Sequence, residues 1–168
     1  FKWVRFFIGR LWWESLTEIQ RKDIAEILTT AESIYRTSAS EIYFQLKAKY
    51  TAFIEKDKDI ALQILNDGLK QFKNSFYIYK DYFDICKKYG DRQGMEYAYR
   101  NLKKIANPQN AKDRIAVLCR NAYLSAIQGK SKVAIELMLN NDSKGNLTEP
   151  GIANIMTHVE KIIAQQFY

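Results

Sequence analysis

Two cysteines, Cys86 and Cys119, and one histidine, His158, are the side chains best suited to nucleophilic or metal chemistry. A structural zinc site draws on closely spaced Cys and His ligands. Here the cysteines stand far apart in the chain and His158 has no second histidine beside it. Both cysteines fall at inward positions of helical patterns and are expected as small buried hydrophobes in a reducing compartment. His158 falls on the polar back of the last helical stripe and is expected in solvent. Gly129-Lys130-Ser131 shares three residues with a phosphate loop but lacks its upstream glycine and strand, so it reads as a turn between helices. The carboxylates are spread over turns and polar faces, with no HExxH for a metal and no GxSxG for a nucleophile. No catalytic residue, metal ligand or cofactor is therefore expected.

Charge and aromatic rings point instead to recognition. The net charge is +7, and residues 76–147 carry a net +6 against +2 for residues 1–75. Lys80, Lys87, Lys88, Arg92, Arg100, Lys103, Lys104, Lys112, Arg114 and Arg120 make this stretch attractive to an acidic protein segment, a nucleic-acid backbone or an anionic lipid surface. Eleven tyrosines are present, and Tyr77, Tyr79, Tyr82, Tyr97 and Tyr99 crowd into one short stretch. Neighbouring positions on a helix cannot all point inward, so some of these rings should lie on a surface, where amphipathic rings favour binding. Residues 1–13 combine Phe1, Trp3, Phe6, Phe7, Trp12 and Trp13 with Lys2, Arg5 and Arg10. That segment is expected to pack against the helical stack or against a preceding domain, with peripheral membrane or partner contact as the alternative. It lacks the apolar core of a secretory leader, and no apolar run is long enough to span a bilayer, so a cytoplasmic location is expected.

The elements that must position these groups repeat. Ile8, Ile42 and Phe76 open three stretches at one constant step, and a fourth opens at Ile115. Ile27, Ala61 and Met95 keep the same step, as do Ala31, Leu65 and Tyr99, with Ala134 and Met138 in those columns of the fourth copy. Each stretch contains two apolar stripes at helical spacing, the first pair parted by polar Gln20 to Asp23 and the second by Glu55 to Asp59. Ser38 with Glu41 is the expected capping box of the second copy. Glycines at Gly90 and Gly129 are expected to end helices in left-handed caps, and Asn107-Pro108 stops another. Asn140 to Asn146 reads as a polar linker, and Thr148-Glu149-Pro150 opens a last helix with Ile152, Ile155, Met156, Val159, Ile162, Ile163 and Phe167 on one side. With 168 residues, seven glycines and two prolines, the chain is expected to be one all-α domain.

A 34-residue unit of two helices resembles the tetratricopeptide repeat. The residues that carry the likeness are Tyr79, Tyr82, Gly90-Asp91, Tyr99 and Pro108 in the third copy, and Leu118, Ala122, Gly129, Ala134 and Met138 in the fourth. The first two copies depart from it, because Ser15 and Lys49 stand where the later copies have Phe83 and Ala122, and Lys22 and Lys56 stand at the turns in place of glycine. The resemblance implies a right-handed α-α superhelix with units at 8–41, 42–75, 76–109 and 115–146 and a capping helix at 149–167. It further implies a non-catalytic scaffold that holds a peptide or protein segment, acidic by charge complementarity, in a groove lined by first helices. On this sequence that face comprises Tyr43, Lys47, Tyr50, Tyr77, Lys80, Asp84, Arg120 and Tyr123. Family members that clamp a C-terminal carboxylate use Lys and Asn one turn apart. Here Lys80 is followed by Asp84, so that ligand is not implied. Nucleic-acid binding through the basic faces and a docking role within a larger enzyme are the alternatives.

Overall fold

The computed structural model describes residues 16–35, 40–142, 157 and 159–164. The regular structure among them is helical throughout: α1 (Glu18–Tyr35), α2 (Glu41–Tyr50), α3 (Lys58–Gln71), α4 (Phe76–Lys88), α5 (Arg92–Ile105), α6 (Ala111–Ile127) and α7 (Ser131–Asp142). A short π-helical segment, Thr51–Glu55, continues α2. The chain forms two compact units, Phe1–Ala98 and Tyr99–Tyr168, divided within α5.

In the first unit, α1 begins with a capping box. The Thr17 N–H donates to Gln20 Oε1 at 2.9 Å, and the Gln20 N–H donates back to Thr17 Oγ1 at 3.3 Å. The expected break at Gln20 to Asp23 is therefore wrong, since these residues lie inside α1. Without a glycine or proline there, nothing interrupts a helix already nucleated one turn earlier. Ile24 and Leu28 are buried, together with Leu16 and Leu46 in one cluster. Ile27 sits on the flank of that stripe and is 50% exposed, contrary to expectation. The first-copy residues Ile8, Leu11, Trp12 and Ser15 and the aromatic segment 1–13 lie outside the described residues.

α2 is capped by Ser40, whose Oγ accepts from the Tyr43 N–H at 3.3 Å. The expected partner Ser38 lies outside the described residues. Glu41 turns elsewhere: its carboxylate accepts from Ser75 Oγ, while Ser75 itself caps α4 by accepting from the Ile78 N–H at 3.0 Å. α3 crosses close to its neighbours because Gly68 has no side chain. A Cβ there would stand 2.9 Å from Phe44 Cγ and 3.0 Å from Ile78 Cδ1. Around this contact Ala48, Ala52, Ala61, Leu65, Ile78 and Ile85 are fully buried, and each large aliphatic among them contributes roughly 1.5–3 kcal/mol relative to exposure.

The landmarks between helices recur at the sequence step. Lys56, with φ 61, occupies the left-handed conformation that Gly90 (φ 67) adopts one repeat later. Asp57 then caps α3 through the Ile60 N–H at 3.0 Å, and Asp91 caps α5 through the Gly94 N–H at 2.9 Å. The turn expected over Glu55 to Asp59 shrinks to Lys56 and Asp57, as Lys58 already belongs to α3. α4 ends in a Schellman motif, with the Gly90 N–H donating to Lys87 O at 3.2 Å and the Asp91 N–H to Cys86 O at 2.9 Å. At the end of α2 the wider π turn replaces this pattern, and the Asp57 N–H reaches back to Thr51 O at 3.1 Å.

In the second unit α6 packs against α7. The same Schellman pattern closes α6, with φ 76 at Gly129 and the Lys130 N–H donating to Ser125 O at 2.9 Å. Ser131, expected within the turn, is the first residue of α7. α7 continues to Asp142, so Asn140 to Asp142 are helical rather than linker. Val133, expected on the buried stripe, is 44% exposed, whereas Ala134 is fully buried. Residues 157 and 159–164 are helical; Val159 and Ile163 are buried while Glu160 and Lys161 are exposed, as expected of the last stripe. His158 and the rest of that segment lie outside the described residues. No helix among the described residues is long and apolar enough to cross a membrane.

Candidate functional site

Two surface ridges arise from helical spacing in the first unit. Tyr43, Lys47 and Tyr50 follow one another at i, i+4 and i+7 on α2, and Tyr77, Lys80 and Asp84 at i, i+3 and i+7 on α4. Tyr43 and Tyr77 lie one repeat step apart in the sequence, and each falls in the first turn of its helix, Tyr43 as the third residue after the Ser40 cap and Tyr77 as the second after the Ser75 cap. Tyr77 is exposed and stands edge-on to Phe76, with ring centroids 6.0 Å apart. Tyr43 and Tyr50 are half-buried and lay their inner edges on the Leu16, Ile24, Leu28 and Leu46 cluster. Lys80 and Asp84 are half-buried.

Tyr43 and Lys47 form a joint polar group. Lys47 Nζ donates to Tyr43 Oη at 3.1 Å and lies 5.5 Å from the centre of its ring, within cation–π range. It also pairs with Glu32 of α1 at 2.7 Å. Burial works against the Lys47 charge, but the bonds from Glu32 and Tyr43 outweigh it and hold the ammonium above its ordinary value. The pair thus fixes a cation and a phenol side by side while leaving both partly in solvent.

A buried ion pair joins α2 and α4. Lys49 of α2 meets Asp81 of α4 at 2.7 Å, with side-chain exposures of 14% and 4%. Gln45 Nε2 donates to the other carboxylate oxygen at 2.8 Å. At an effective dielectric of about 20, two charges at this separation attract by roughly 6 kcal/mol, which only offsets the several kcal/mol needed to desolvate each ion. Its consequence is positional: Asp81 is satisfied only when α2 and α4 sit in one register. In the sequence Lys49 stands in the column of Phe83 and Ala122, but counted from the Ser40 and Ser75 caps the position of Phe83 is filled by the fully buried Ala48, and Lys49 lies beside it.

A second cluster joins α3, α4 and α5 within the same unit. Tyr97 lies 6.1 Å from Tyr79 and 5.4 Å from Tyr82 between ring centroids. Burial, and then the hydrogen bond with Tyr97, push the Tyr79 phenol up to about 12. Tyr82 is raised as well, chiefly by burial, and shares a hydrogen bond with Asn66. Tyr77 and Tyr97 are the exposed members of the five-tyrosine stretch. Cys86 and Cys119 are buried free thiols, as expected. Burial first, then Asp91, pushes Cys86 up to about 12, and burial pushes Cys119 up to about 11, so neither is a nucleophile at neutral pH. No group of metal-ligating side chains occurs among the described residues.

Two expected members of the binding face belong to the interior. Arg120 is 2% exposed and Tyr123 is 8% exposed, both on α6 of the second unit. That helix is buried over most of its circumference, at Ile115, Ala116, Cys119 and every position from Ala122 to Ala126, so its supposed groove side is covered. The Arg120 guanidinium turns along its own helix, donating from Nη1 to Ala116 O at 3.1 Å. Conversely, sequence reasoning misses Glu32, Gln45, Lys49 and Asp81; the displaced Lys49 is the one visible sign of them. Comparison with family models, curated proteins and solved structures gives no match. The residues alone carry the functional reading.

Proposed function

We propose that this chain is a non-catalytic interaction module, a right-handed tetratricopeptide-like stack of helical pairs that holds an acidic peptide or protein segment against its first helices. The contact surface comprises Tyr43, Lys47 and Tyr77, flanked by Tyr50, Lys80 and Asp84. The observation that carries this reading is a tyrosine in the first turn of each of two successive first helices, Tyr77 exposed and Tyr43 half-buried, with a buried ion pair joining those helices. Rigid amphipathic rings on a pre-organised surface bind at low entropic cost. Residues 1–98 carry only +2 of the net charge, so the preference for an acidic segment rests on Lys47 and Lys80 of this face. Arg120 and Tyr123 have no part in it.

The test is peptide selection on the purified chain from a displayed random library, followed by fluorescence anisotropy with the enriched sequences. Acidic peptides should be enriched, and Tyr43→Ala/Tyr77→Ala should weaken them by about tenfold or more, in line with truncation of aromatic anchors. Helical circular dichroism should be unchanged. Enrichment of no peptide, or equal binding by the double variant, would remove the assignment.

A further inference from the structure

The second unit carries a surface of a different kind at the corner where α5 meets α6. Arg100, Lys103 and Lys104 end one helix, Lys112 and Arg114 begin the next, and all five are exposed. Asn107 to Asn110, which join them, are exposed too. Asp113 is the single carboxylate from residue 99 to residue 114, and it is engaged by the turn itself, accepting the Asn107 N–H at 3.0 Å. Arg114 Nη1 donates to Pro108 O at 2.8 Å, a bond that holds the guanidinium over the turn without neutralising it. Arg100 and Lys104 are one helical turn apart, a rise of about 6 Å. That is within a Debye length of roughly 8 Å at physiological salt, so their fields add.

We propose that this corner binds the phosphodiester backbone of duplex nucleic acid without reading sequence. Two observations favour that occupant over a peptide or a single strand. None of the exposed large hydrophobic residues falls between 99 and 114, so the corner offers no apolar or aromatic anchor of the kind that centres a protein interface. Tyr99, the one aromatic residue in the stretch, is half-buried on α5, so no exposed ring is offered for base stacking, which single-strand binders use. What remains is cationic and hydrogen-bonding, the chemistry of phosphate contact. The inference stands apart from the peptide surface of the first unit.

The probe is a fluorescein-labelled 20-base-pair duplex, titrated with the full chain by anisotropy between 50 and 200 mM NaCl. Five phosphate contacts correspond to a slope of about −4.5 in log affinity against log salt, a fall of up to about 500-fold over this range. Lys103→Gln/Lys104→Gln should flatten the fall to about 40-fold and weaken binding at 50 mM. Lys70→Gln/Lys73→Gln makes the same change in net charge on exposed positions of the first unit and should leave the slope alone. Absence of duplex binding at 50 mM salt would overturn the proposal, as would an equal loss in both variants. So would tighter binding of a single-stranded 20-mer, or displacement of the duplex by oligo-glutamate at equal charge concentration.

Discussion

Removing Asp81 should destabilise the first unit more than any surface change, and the size follows from its surroundings. The carboxylate is 4% exposed and receives Lys49 and Gln45, so Asp81→Ala strands an ammonium that keeps only 14% exposure. Breaking a buried pair on one side costs about 3–5 kcal/mol. Lys49 retains some access to water, which places the loss near the lower end, at about 3 kcal/mol. For a chain of this length that corresponds to a fall of roughly 6–12 °C in Tm. Lys49→Met should cost a similar amount, because Asp81 keeps only the Gln45 amide. The pair Lys49→Met/Asp81→Leu should cost far less than the sum of the single changes, about 1–3 kcal/mol, because an apolar pair can replace an ionic one of similar volume while the buried Gln45 amide loses its acceptor. Urea titrations followed by circular dichroism at 222 nm close the double-mutant cycle. Strictly additive costs, or an Asp81→Ala loss under about 0.5 kcal/mol, would refute the claim that this pair sets the register of α2 against α4.

Lys56 holds a left-handed conformation that glycine adopts without strain, so Lys56→Gly should stabilise the chain by about 0.5–1 kcal/mol, measured by the same titration; a net loss would show that its side chain matters more than its backbone. The Tyr79 phenol, raised from 10.0 to about 12 by burial and Tyr97, ionises more readily when unfolded. Its contribution to stability is therefore complete below about pH 10 and lost between pH 10 and 12. Tyr79→Phe should flatten the stability profile across that window, and an unchanged profile would contradict the assignment. The two thiols, raised to about 12 and about 11, should resist a disulfide reagent at pH 8 until urea unfolds the chain. Rapid native labelling would show them to be accessible.

Helical periodicity makes most of this fold legible, because an apolar stripe of period 3.6 records which face is covered. The left-handed caps at Gly90 and Gly129 are legible for a related reason: glycine is the residue that adopts them without steric cost. Lys56 conceals the equivalent cap, since nothing in a lysine announces a positive φ. The start of α1 is hidden because a polar run looks like a turn, while the Thr17 and Gln20 side chains supply a helix start that propensity alone does not weigh. Periodicity names a face but not its neighbour, and this limits what the sequence says of the site. Arg120 lies at the correct spacing for a groove, yet α6 is covered on most sides. Asp81 reads as one more surface acid, although it faces Lys49 and Gln45 across a helix boundary that no local pattern spans.

Where a partner touches the first unit is measured most directly by amide hydrogen exchange of the full chain, with and without a selected acidic peptide. Protection should concentrate on α2 and α4 near Tyr43, Lys47 and Tyr77, and Tyr43→Ala/Tyr77→Ala should abolish it. Protection confined to the flank of α1 around Ile19 and Ile27, or to the corner at 100–114, with α2 and α4 unchanged, would contradict the account.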